Sequence, residues 1–174
     1  MFRTTLCFVL CAAFASSALG QAVIGEWSFQ VEDEGTSREK RTASTPAQPF
    51  TEGEPRAVLE VRRLQAKAPM DLVVTVYPDA DKTSCKYDNW ELAIDSRVIP
   101  VKSFSTSPVS AILVPGKGID EEKFWEPFVK GLELAIRVGR KCEGIFGDQE
   151  SDLFIFSMRG SAAAHKLVLN EPDK

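Results

Sequence analysis

Apolar and polar side chains alternate along several stretches of this chain, and a period of two marks a strand with one buried face. The clearest stripe is Leu132, Leu134, Ile136 and Val138, interleaved with Glu133, Ala135 and Arg137. Trp27 and Phe29 alternate with Ser28 and Gln30, which predicts a first strand within residues 23–31. The β-branched runs AVLEVRRL (57–64) and LVVTVY (72–77) predict two more strands joined by a turn-sized connection. A loop over 78–89 leads to a hairpin, 90–94 and 98–101, turning at Asp95, Ser96 and Arg97. Pro100 places the second hairpin strand at a sheet edge, because proline donates no ladder hydrogen bond. Short apolar runs at 111–114 and 153–158 add further strands.

Between 32 and 56 the chain is polar and rich in Thr, Ser, Pro, Glu and Gly. Two readings stand: one long mobile loop, or a short charged edge strand over 38–44 followed by a loop over 45–55. The second is preferred, since structureless runs of that length are uncommon inside a domain.

Two helices are expected in the second half. Asp120 has the chemistry of an N-cap, and Glu121 and Glu122 suit the positive end of a helix dipole. This helix should run to Lys130, with Pro127 kinking or dividing it and Gly131 closing it. Gly160 and Ser161 form a turn and cap before a second helix over 162–169. About eight strands with short connections are mostly antiparallel. The fold class is therefore α+β: a mostly antiparallel β-sheet or sandwich-like domain with two short helices in its C-terminal half.

The N-terminus changes the picture. Arg3, the unbroken apolar run LCFVLCAAFA (6–15) and the small residues Ala18 and Gly20 read as a cleaved secretory signal peptide, 1–20. The run is half the length of a membrane span. Residues 21–174 then form one exported domain, periplasmic or secreted.

The formal net charge is −4, and loss of Arg3 makes the mature chain one unit more acidic. Nucleic acid is an unsuitable partner for such a chain, since that binding rests on cationic contacts with phosphates. Arg38–Arg41, Arg62–Arg63 and Arg137–Lys141 are short or interrupted basic clusters that read as solvated strand faces. Cys7 and Cys11 leave with the leader. Cys85 and Cys142 remain, an even number in an oxidising compartment, and predict a disulfide.

The order of features in the second half resembles small exported proteins of Proteobacteria. It comprises the hairpin WELAIDSR (90–97), a short helix ending at Gly131, the strand ELAIRV and the tail FSMRGSAAA (156–164). The chain is similar there to the invasion-associated locus B family and to related periplasmic families of unknown function. The resemblance implies a compact β-rich envelope or secreted protein, in the named family linked with host-cell invasion. It brings no catalytic residue. Where those families often carry an early-strand cysteine, this chain has Arg41 or Thr42.

Candidate chemistry is sparse. His165, the single histidine, lies four residues after Ser161, but a triad also needs an orienting acid and an oxyanion hole, and G-x-S-x-G is missing. Asp79, Asp81 and Thr83 begin like a calcium loop, yet Ser84 replaces its glycine and Trp90 its final glutamate. Asp148, Glu150 and Asp152 read as a solvated acidic loop rather than a divalent-ion site. Gly116, Lys117 and Gly118 fail the P-loop pattern and read as a turn. HExxH and CxxC are missing too. No catalytic residue, metal ligand or cofactor is assigned.

Phe124, Trp125 and Phe128 put aromatics on one helix face, either as a recognition patch or as core. The functional expectation is a non-enzymatic exported protein acting by macromolecular binding, on an envelope component or in host interaction. Its surface would be a strand edge or the face of Phe124, Trp125 and Phe128. The alternative is a small secreted hydrolase or enzyme inhibitor. No membrane span is expected after cleavage.

Overall fold

The computed structural model describes residues 18–33, 39–48, 56–65, 68–79, 84–142 and 149–169. Among them are eleven strands: β1 (Ala18–Ile24), β2 (Trp27–Asp33), β3 (Glu39–Pro46), β4 (Ala57–Arg63), β5 (Asp71–Val76), β6 (Lys86–Ile94), β7 (Arg97–Ile99), β8 (Val101–Ser107), β9 (Ser110–Pro115), β10 (Glu133–Lys141) and β11 (Gln149–Ser157). Helix α1 (Glu121–Lys130) precedes β10 and α2 (Ser161–Leu169) follows β11. One sheet has seven strands in the order β1-β2-β3-β4-β5-β9-β8, the other four in the order β11-β10-β6-β7. Every pairing between these strands is antiparallel. The α+β, sandwich-like class is the one the alternation predicts.

The core lies between the sheets, one inward row of the larger sheet being Phe29, Ala43, Val61, Leu72 and Leu113 in successive strands. The smaller sheet answers with Trp90, Leu92, Leu134, Ile136, Phe154 and Phe156. Helix α2 lies against β1, β2, β3 and β4, and α1 packs on α2.

Several elements differ from the sequence reading. The first predicted strand is two, because Gly25 and Glu26 form a hairpin turn that separates Ile24 from Trp27. The segment 38–44 is not an edge strand: β3 sits between β2 and β4, and its Ala43 and Thr45 are buried. Most of the loop expected over 45–55 lies outside the described residues. Strand β6 begins at Lys86, inside the predicted loop 78–89. A register shift opposite 137–139 and a positive φ at Asn89 interrupt its alternation, hiding its first half from periodicity. Leu132 stands outside the buried stripe and is 82% exposed.

Helix α1 passes through Pro127 as one element, held by buried Phe124 and Trp125 before the proline and Phe128 after it. Gly131 follows with an ordinary extended φ of −72°. Its requirement for glycine is steric, since a Cβ there would lie 2.5 Å from Ile94 Cγ2.

Cys85 and Cys142 form the disulfide that the cysteine count predicts. Lys86 pairs with Lys141, so the bridge falls one step further along the same ladder and acts as a covalent rung between β6 and β10.

Candidate functional site

Phe124, Trp125 and Phe128 do not form an exposed patch. Their exposures are 1%, 5% and 2%, and the rings pack on one another with centroids 5.0 to 5.6 Å apart. This helix face is core, where large aromatics bury the most apolar area. Ser161 ties the two helices together: its buried hydroxyl donates to the Phe128 carbonyl at 2.6 Å. That bond engages the serine structurally. His165 packs beside Trp125, ring centroids 5.5 Å apart.

What this packing creates is a groove between the helices. Met70, Trp125, Val129 and Leu169 supply its apolar surface, and its volume is about 710 Å³. That is within the usual range for a binding cleft, about 300–1,000 Å³. Glu121, Glu122 and Glu126 line it from α1. Glu126 pairs with Lys130 at 2.6 Å, and this ammonium holds its carboxyl below the usual range. Asp120 caps the helix by accepting from the Lys123 N–H at 2.8 Å. The Lys123 side chain and that amide lower its pKa. Glu121 and Glu122 have no cationic side chain within ion-pair distance among the described residues. The groove thus has an apolar floor beside an excess of negative charge.

Its far wall depends on the larger sheet. Arg41 and Arg63, facing each other across β3 and β4, donate to the carbonyls of Leu167 and Leu169 at 2.9 and 2.8 Å. These are orphan acceptors at the negative end of α2, where cations are stabilising.

A second polar cluster sits at one end of the smaller sheet. Arg140 is 7% exposed, grips both Asp152 oxygens at 2.8 Å and also reaches Glu150. The adjoining cavity, lined by Tyr77, Asp79 and Tyr87 among others, is only about 10 Å³, too small for a substrate. Glu150 and Asp152 are therefore gathered around a guanidinium. Asp148 and Asp81 to Thr83 lie outside the described residues. Gly116 to Gly118 form a turn, with the Gly116 N–H donating to Pro100 and Gly118 at φ +84°. Among the described residues, no three His, Cys, Asp or Glu side chains come together as a metal-binding group. No described helix is long and apolar enough to cross a membrane.

No protein-family model, curated protein or solved structure matches this chain. The groove and the outer strand edges are the structural observations that bear on function. Of the groove, the sequence singled out Trp125, His165, Glu121 and Glu122, each for a different reason. Val129 was legible as the apolar residue one turn beyond Trp125. Met70 and Leu169 come from distant elements and carry no local signal.

Proposed function

We propose that the chain is an exported, non-enzymatic binding protein, and that the α1–α2 groove takes an amphipathic basic segment of a partner protein. The observation that carries this is the placing of exposed Val129 on the groove surface, over the buried Trp125, with the carboxylates of Glu121 and Glu122 beside it. Apolar area supplies affinity, and complementary charge supplies orientation and encounter rate. The leader-like residues 1–20 support an exported setting. The likeness to exported invasion-associated proteins agrees with a binding role in an envelope or at a host surface.

The test uses the mature, disulfide-bonded protein and a synthetic amphipathic peptide of leucine and lysine. NMR shift changes should cluster on Trp125, Val129 and Leu169. Val129→Gln, which removes apolar surface without adding charge, should weaken binding about tenfold, a loss of about 1.4 kcal/mol. Replacing Glu121 and Glu122 with glutamine should flatten the salt dependence, because the charge term is the screened one. Shift changes scattered over other surfaces, or binding indifferent to Val129→Gln, would overturn the assignment.

A further inference from the structure

Strand β8 is the outermost strand of the larger sheet, and every residue from Lys102 to Ser107 is exposed. Phe104 is 58% exposed. The other outer strands are less available. β7 has three residues, and β11 is bridged at Ile155 by Gln48. β1 would lose Ala18 to Gly20 to signal cleavage. An edge strand with unpaired N–H and C=O groups is a template for another strand.

The register shows which groups are free. The Gly116 N–H donates to the Pro100 carbonyl at 2.9 Å, and Pro100 stands one step before the Val101–Pro115 pair. Hydrogen-bonded pairs alternate in an antiparallel ladder. Lys102 and Phe104 therefore bond inward to β9, while Ser103 and Ser105 aim their backbone groups away from it; Val101 follows closely on β7, which bonds to β6. The register shift after Ser105 ends the regular run, and Pro100 and Pro108 bound it.

We infer that this edge pairs with the same edge of a second copy of the chain. The sequence V-K-S-F-S-T-S flanks Phe104 with serine on both sides. A two-fold antiparallel pairing centred there sets Ser103 opposite the second copy's Ser105, giving about four inter-chain backbone hydrogen bonds. It sets Phe104 against its own copy in the close, non-hydrogen-bonded position, where aromatic pairs stabilise a sheet. Lys102, the one charged residue of β8, falls opposite Thr106, so no like charges meet. The result is a closed dimer with a sheet continuous through both copies, since pairing uses up the edge in each.

Sedimentation of the disulfide-bonded protein over a wide concentration range tests this. A monomer–dimer equilibrium is expected. Ser105→Pro removes an outward N–H without breaking a bond to β9, and should weaken the dimer at least about tenfold. Phe104→Cys should link two copies under mild oxidation much faster than Val98→Cys, an exposed control on β7. The inference fails if the wild-type protein is monomeric throughout, or if folded Ser105→Pro dimerises as well as wild type. It also fails if Phe104→Cys links no faster than the control. Should Ser105→Pro not fold, the comparison of the two linking rates decides alone.

Discussion

Gly25 and Gly160 meet back to back where the β1–β2 turn touches the turn before α2. Both have positive φ, +62° and +95°. A Cβ on Gly160 would lie 2.2 Å from the Ile24 carbonyl oxygen, and one on Gly25 would lie 2.4 Å from that of Arg159. Backbone cannot step aside as a flexible side chain can. Gly160→Ala is therefore expected to cost about 3 kcal/mol, the sum of a left-handed conformation and an overpacked contact. Gly118→Ala makes the comparison informative, because φ there is +84° but nothing lies within 4 Å of the new Cβ. It should cost only about 1 kcal/mol. Urea unfolding of both variants measures the difference, and equal losses would show that the close approach contributes nothing. The sequence marks Gly160 as a turn residue because Ser161 and an alanine run follow. Nothing local marks its contact with Gly25, since the two are brought together only by the placing of α2 on β1 and β2.

At the scale of elements, the arginines of β3 and β4 are the informative case. Two like charges directly opposite on neighbouring strands are unfavourable alone. Arg41 and Arg63 are compensated by the end of α2, so helix and strand pair stabilise each other. Arg63→Met should lower stability by about 1–2 kcal/mol and speed amide exchange in the last turn of α2. Arg62→Met, on the opposite sheet face, removes the ion pair with Asp71 at 3.5 Å and should leave amide exchange in α2 unchanged. Chemical unfolding with hydrogen-exchange mass spectrometry separates the two, and an unaltered α2 in Arg63→Met would refute the clamp. The sequence reading took Arg62 and Arg63 together as a solvated face, which holds for neither: both are half-buried. Alternation does place them on opposite faces, but not what each face meets. The bulge in β6 has the same lesson. Trp90, Leu92 and Ile94 were legible as a stripe, whereas Tyr87, beyond the irregularity at Asn89, is buried without continuing the period.

For the molecule as a whole, the legible parts were class, the cysteine pair and the neighbours joined by short turns, β4 with β5 and β6 with β7; the rest of the strand order was not. Hydrophobic period reports that a face is buried but not which strand lies alongside, so β3 was placed at an edge although it is internal. The groove was illegible for the same reason, as its surface joins α1, α2 and the start of β5. The disulfide closes a sequence separation of 57 residues containing β6, β7, β8, β9, α1 and β10. Reduction should therefore destabilise the fold by about 4 kcal/mol through the freed unfolded chain. Calorimetry with and without reductant checks this, and an unchanged midpoint would contradict it. The same rung has a consequence for a protein that meets proteases. A single cut after Lys117, in the exposed turn before α1, would leave both fragments on one covalent frame, still joined at Cys85 and Cys142. The nicked chain would keep its mass until a reductant arrived, so damage at that turn and loss of the N-terminal half become two separate events.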